Sequence, residues 1–218
     1  MAQFPAALRH LCLLGLALLG VAQAAPATRT LLCFGDSLTA GYGLADPSTE
    51  SYPARLQETL AAAGLDWRVI NAGLSGETSA GGLRRVDWVL RQPADIFLLA
   101  LGGNDALRGL DPAVTRSNLT AIIGRVRAKY PQARIVVAGM QAPPTLGADY
   151  ADAFARIFPE VAREQGATLV PFLLEGVGGE PALNQTDQIH PNPAGHRRLA
   201  ATVWSVIRPL VEKTPDRP

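Results

Sequence analysis

The chain has 218 residues, 48% hydrophobic and 18% charged, which is enough apolar material to bury one sizeable core as a single domain. Its formal net charge of +1 supplies no basic field for nucleic acid, and no polybasic run points to an anionic membrane surface. The expected partner is a small molecule rather than a polyanion.

Residues 1–24 read as a targeting segment, which leaves 25–218 as the folded domain. Arg9 precedes the apolar run Leu11 to Val21, and Ala22-Gln23-Ala24 offers a small-x-small cleavage site. The run is shorter than the roughly 20 residues of a membrane-spanning helix. It therefore predicts a cleaved, bacterial-type signal peptide and a periplasmic or secreted protein with no permanent membrane anchor. Cys12 leaves with that segment, and Cys33 alone cannot form an intramolecular disulfide.

Strand-like and helix-like stretches then alternate. Thr30 to Phe34 predicts a first strand, followed by a Gly-rich loop and a helix from about Pro53 to Ala63, with Pro at its first position and Gly64 after its end. Trp67 to Asn71 reads as a second strand, and a helix through Arg84, Val86, Trp88 and Leu90 stops before Pro93. The continuous apolar run Ile96 to Leu101 suits a parallel strand covered on both faces and belongs at the centre of a sheet. Asp111-Pro112 caps a helix that ends near Tyr130. Arg134 to Ala138 predicts a fourth strand, and Ala148 to Gln165 a helix kinked or divided at Pro159. Thr168 to Phe172 predicts a fifth strand; a long loop from Glu175 to Pro193 and a last helix, Ala194 to Val211, complete the chain.

This alternation implies an α/β fold, a flavodoxin-like doubly wound sheet of five parallel strands in the order 2-1-3-4-5 with helices on both faces. In that order the carboxyl ends of strands one, two and three adjoin at the switch point. The loops at Ser37, Gly73 and Asn104 are thereby expected in one cleft.

Ser37 follows the first strand in Gly35-Asp36-Ser37-Leu38, a turn that projects its hydroxyl from the sheet edge. A serine nucleophile needs a base that is itself oriented by a third group. Of the two histidines after the targeting segment, His190 lies in the long loop that can return to the sheet edge. His196 falls inside the last helix as a surface or packing residue. Asp187 stands three residues before His190, and a bend between them brings the carboxylate to one ring nitrogen. Gly73, with no side chain over its N–H, and Asn104, with a carboxamide, are candidate donors to an oxyanion.

Gly35-Asp36-Ser37-Leu38, Gly73, Gly102-Gly103-Asn104-Asp105 and Asp187-Gln188-Ile189-His190 together resemble the four blocks of the SGNH, or GDSL, hydrolase family. The stretches Ser37 to Gly43, Asn71 to Thr78 and Leu101 to Gly109 are similar to its exported thioesterase I/lysophospholipase/arylesterase group. The resemblance implies a triad of Ser37, Asp187 and His190, and an oxyanion held by the Ser37 and Gly73 N–H groups and the Asn104 side chain. It also implies acyl ester, thioester or lysophospholipid substrates.

Other readings fit less well. A flavodoxin-like nucleotide-binding module lacks any Walker A or G-x-G-x-x-G pattern after a strand. After the targeting segment, two histidines and one cysteine make no metal-ligand cluster, so neither metal nor cofactor is expected. A carbohydrate O-acetyl esterase would use the same machinery on a shorter acyl group. The absence of a long insertion between the βα units predicts an open, shallow cleft, in which Ala106, Leu107 and Leu110 could line an acyl channel.

Overall fold

The computed structural model describes residues 28–212, so the targeting segment and its cleavage site lie outside the described residues. Five parallel strands, β1 (Arg29–Gly35), β2 (Trp67–Gly73), β3 (Ile96–Ala100), β4 (Arg134–Ala138) and β5 (Thr168–Val170), form one sheet in the order β2-β1-β3-β4-β5. This is the expected doubly wound arrangement, with β3 at the centre.

Leu31 to Phe34 and Ile96 to Leu99 are buried on both faces of the sheet, which is why these strands read as unbroken apolar runs rather than alternating ones. β2 and β5 are the sheet's edges. The helix α3 (Tyr52–Ala62) packs with α8 (Pro193–Glu212), whereas α4 (Ser79–Val89), α6 (Pro112–Lys129) and α7 (Ala148–Glu164) pack as a second group. Three short helices, α1 (Ser37–Ala40), α2 (Pro47–Glu50) and α5 (Gly103–Leu107), complete the fold.

Several boundaries differ from expectation. β2 runs on to Gly73, because it keeps pairing with β1 as far as Gly35, and β5 stops at Val170, where its pairing with β4 ends. The short helices were not legible in the sequence, since four or five residues carry too little periodicity to register. Helix α7 continues through Pro159 without division. Phe154, Ile157, Phe158 and Val161 bury one face of it, and that packing offsets the hydrogen bond that proline forfeits.

Buried polar groups tie α8 and α3 to the end of β1. His196 in α8 is buried, and its Nδ1 accepts the Tyr52 backbone N–H at 3.1 Å. The Tyr52 hydroxyl bonds the Thr39 Oγ1 of α1 at 2.9 Å. At the strand end itself, a Cβ on Gly35 would stand 2.7 Å from the Ala100 carbonyl oxygen and 2.1 Å from Thr39 Oγ1. Only glycine lets α1 fold back this closely over β1 and β3. Gly35→Ala is therefore expected to destabilise the protein by about 3 kcal/mol, at the upper end of ordinary overpacking. Chemical denaturation measures this, and a loss below about 0.5 kcal/mol would show that the strand end yields freely.

Candidate active site

Ser37 is the first residue of α1, and Asp36 is its N-cap. One Asp36 oxygen accepts the Leu38 N–H at 3.0 Å; the other accepts the Asn104 side-chain amide at 3.3 Å. The same amide also donates to the Glu77 carbonyl at 3.1 Å. Asp36 thus links the loop after β1 to the loop after β3, and Asn104 extends the link to the loop after β2. Burial pushes the Asp36 carboxyl up to about 6, against the opposing pull of the Leu38 N–H and the Asn104 amide.

The fourth loop arrives from the other end of the chain. His190 Nε2 lies 3.0 Å from Ser37 Oγ, and His190 Nδ1 lies 2.7 Å from Asp187 Oδ2. A carboxylate can only accept, so Nδ1 carries the hydrogen and Nε2 accepts from the serine hydroxyl. The other Asp187 oxygen accepts the N–H groups of Ile189 and His190 at 2.9 and 3.0 Å. The His190 N–H first, then the His190 ring, hold the Asp187 carboxyl down at about 2.

Gln188 between them has φ 58°, a left-handed conformation that a non-glycine residue adopts only under local constraint. The bend this produces turns Asp187 and His190 toward each other. Gln185 Nε2 donates to the carbonyls of Tyr42 and Pro191, and the Tyr42 ring lies on the His190 ring with centroids 4.6 Å apart. The loop is fastened to the segment after α1 through Gln185 and through the histidine ring itself.

Four of the five residues singled out in the sequence, Ser37, Asn104, Asp187 and His190, are brought together in this way. Gly73 is not. Its N–H donates to Asn71 Oδ1 at 3.0 Å, and a Cβ there would stand 2.2 Å from the Ala40 backbone nitrogen, so the packing of β2 under α1 accounts for the glycine. The residues of this loop that line the same cavity as Ser37 are Ser75 and Gly76. Among the described residues, no acceptor takes the Ser37, Ser75 or Gly76 N–H. The signal for Gly76 was the length of β2: a strand ending at Gly73 puts Leu74 to Thr78, not Gly73, over the sheet edge.

The loop that carries Gly76 is held from beneath. Glu77 is buried and paired with Arg85, whose guanidinium also donates to the Ala72 carbonyl and lies over the Phe34 ring. The cavity it borders is about 770 Å³, within the size range of small-molecule sites, rather than the shallow cleft expected. Its far wall is apolar, built by Leu107, Met140, Pro143, Phe172, Leu174 and Ile189. Of the three residues proposed to line a channel in the 105–110 loop, only Leu107 does so, because Ala106 turns into the core and Leu110 lies outside. Among the described residues no group of three or more His, Cys, Asp or Glu could hold a metal ion.

The model of the GDSL-like lipase/acylhydrolase family matches residues 33–198, which span every element of this site. The chain belongs to that family. It is thus an ester hydrolase, and the flavodoxin-like binding module is set aside. The chain is 44% identical over 207 residues to esterase TesA of Pseudomonas aeruginosa, an alignment covering 94% of this chain and 100% of that one. The crystal structure of TesA superposes with a TM-score of 0.79, covering 84% of this chain and 99% of TesA. An arylesterase of Vibrio mimicus is 39% identical, covering 84% of this chain and 90% of the relative. Thioesterase 1/protease 1/lysophospholipase L1 of Escherichia coli K12 is 36% identical, covering 86% and 87%.

Two buried groups near the site give its stability an unusual pH dependence. Burial holds His196 down at about 4, so protonating it opposes folding: its contribution is complete above 6.5 and is lost as pH falls toward 4. Asp36 works the other way, because its raised value makes the folded state take up a proton between pH 6 and 3.8. Each is worth about 3 kcal/mol at roughly 1.4 kcal/mol per pH unit, and they nearly cancel. Asp187 titrates below this window. Wild-type stability is accordingly expected to be nearly flat from pH 6.5 to 4. His196→Asn should gain stability on acidification and Asp36→Asn should lose it, as read from urea midpoints across that range. Parallel profiles for all three proteins would contradict the assignment.

Proposed function

We propose that the chain hydrolyses acyl esters and thioesters through an acyl-enzyme on Ser37. The observation that carries this reading is the unbroken hydrogen-bonded line from Ser37 Oγ through His190 to Asp187 at the rim of an apolar cavity. Ser37 Oγ attacks the carbonyl carbon of the substrate while its proton passes to His190 Nε2. Asp187, accepting at Nδ1, fixes the tautomer and stabilises the imidazolium.

In this reading the tetrahedral oxyanion takes the Ser37 N–H, the Gly76 N–H and one Asn104 amide hydrogen, and Gly73 serves only packing. The 3.3 Å bond from Asn104 to Asp36 is the longer of its two, and that hydrogen is the one the oxyanion draws. Collapse breaks the bond to the leaving alcohol or thiol, which departs with the proton from His190. Water then loses a proton to the same nitrogen and attacks the acyl-Ser37 carbonyl; the second collapse breaks the carbonyl–Oγ bond, His190 returns its proton to Ser37 Oγ, and the acid leaves.

The apolar wall supports a preference for medium or long acyl chains, since each methylene buried there contributes about 0.8 kcal/mol. A carbohydrate O-acetyl esterase would leave that wall unused. The names of the relatives, which include esterase, arylesterase, thioesterase and lysophospholipase, fit a site selective for the acyl group and tolerant of the leaving group.

A fluorophosphonate probe is expected to label Ser37, and Ser37→Ala to lower kcat/KM on the order of 10⁴-fold or more. Full activity in Ser37→Ala would remove the mechanism. Across p-nitrophenyl esters from acetyl to palmitoyl, kcat/KM should rise until the cavity is filled. A monotonic fall beyond acetyl, with efficient release of acetate from polysaccharide, would favour the O-acetyl esterase.

Export is part of the same reading, motivated by Arg9, the run from Leu11 to Val21 and Ala22-Gln23-Ala24. No helix among the described residues is long and apolar enough to cross a membrane. Mass spectrometry of the exported protein should find Ala25 at the amino terminus. Mature, membrane-extracted protein that retains Met1 would identify the segment as an anchor.

A further inference from the structure

A second cavity, about 460 Å³, adjoins the reaction cavity and shares Ser75 and Gly76 with it. Its walls include Arg84, Arg85 and Arg108. Arg85 is neutralised by Glu77. Arg84 has no hydrogen-bond or ion-pair partner among the described residues, and Arg108 donates only to the Gly76 carbonyl, at 3.0 Å. Two guanidiniums without a carboxylate therefore face one cavity at the edge of the site. The amino-terminal end of α4 adds little to this charge, because the Ser79 and Gly81 N–H groups are already taken by Asp105 and Thr78.

The sheet order decides which part of a substrate would meet these arginines. Ser37 follows β1. The apolar wall comes chiefly from loops after β3, β4 and β5, on one side of it, whereas Ser75, Gly76 and Arg84 follow β2, on the other, and Arg108, beyond α5, reaches across to the Gly76 carbonyl. With the acyl chain against the apolar wall, the leaving group lies toward β2. We propose that the Arg84–Arg108 cavity is a subsite for a phosphate carried on the leaving group of the substrate. Guanidinium is the side chain best matched to a phosphate, by charge and by its paired N–H donors. The proposal rests on Ser37 being the nucleophile.

A lysophospholipid presents such a phosphate on a short glycerol linker, and an acyl-coenzyme A presents phosphates on a long one. The two cavities lie side by side, with Ser75 and Gly76 bordering both, and that short separation suits the short linker. Both arginines are exposed, so each contact should be worth a factor of about three to ten rather than orders of magnitude.

The test compares kcat/KM for monomeric lysophosphatidylglycerol with that for the monoacylglycerol of the same chain length, in the wild type and in Arg84→Gln, Arg108→Gln and Arg91→Gln. Arg91 lies beyond the carboxyl end of α4, outside both cavities, and controls for net charge. The anionic-to-neutral ratio should fall three- to ten-fold in Arg84→Gln and in Arg108→Gln, mainly through KM, and should hold in Arg91→Gln. In parallel, glycerol 3-phosphate should inhibit hydrolysis of the neutral ester less well in Arg84→Gln than in the wild type. An acyl-coenzyme A paired with the N-acetylcysteamine thioester of the same acid forms a second arm. Sensitivity to Arg84 in that arm alone would keep the phosphate subsite and assign it to the long-linker source. An unchanged ratio in both arms, with the variants folded by their melting temperatures, would overturn the subsite. Full activity in Ser37→Ala toward both members of a pair would instead remove the Ser37 mechanism, and the subsite with it.

Discussion

A buried carboxylate organises this site. Asp36 lies where β1 ends, almost wholly withdrawn from water, and a charge in that position is tolerated only because the Leu38 N–H and the Asn104 amide face it. Through the first contact it starts α1 and so fixes where Ser37 points. Through the second it binds the β3 loop to the β1 loop, and Asn104 passes the constraint to Glu77 in the β2 loop. Three loops that would otherwise move independently share one polar network, whose satisfaction requires all of them to be in place at once.

The network is rigid because the strand ends leave no room. Gly35 lies against both Thr39 of α1 and the Ala100 carbonyl, and Gly73 lies beneath Ala40. His196, Tyr52 and Thr39 then brace α1 from the far face, linking the last helix of the chain to the first. Ser37 is thereby held on a packed scaffold. His190 approaches it on a loop fixed by a left-handed Gln188, by Gln185 and by the Tyr42 ring. Such preorganisation suits a proton relay whose members must be within hydrogen-bond reach before substrate arrives.

The two sides of Ser37 differ chemically because the topology is asymmetric about it. Toward β4 and β5 the loops contribute Met140, Pro143, Phe172 and Leu174; toward β2 lie Arg84 of α4 and Arg108, which reaches over from the end of α5. In the proposed mechanism, this polarity would align an amphiphilic ester with its scissile carbonyl between the two. Binding energy from parts of the substrate remote from the carbonyl can then orient the reacting atoms.

Much of this was fixed by local chemistry. The apolar runs Leu31 to Phe34 and Ile96 to Leu101, with Pro and Gly marking the breaks, were enough for a parallel sheet in the order 2-1-3-4-5, because burial on both faces demands such runs and right-handed crossovers leave few orders. Ser37, Asn104, Asp187 and His190 were legible because each is a chemically distinctive residue in a short turn next to a strand or helix end. What the sequence could not decide was how far a strand runs and what lies beside it. Gly73 looked like an oxyanion donor until the register with β1 carried β2 past it and put Gly76 over the edge instead. The depth of the cavity, the burial of Ala106 beside the exposure of Leu107, and the meeting of Arg84 with Arg108 across 24 positions have the same origin. Each depends on which side chains from distant segments share a space, and that is set by close packing of the folded chain rather than by any local pattern.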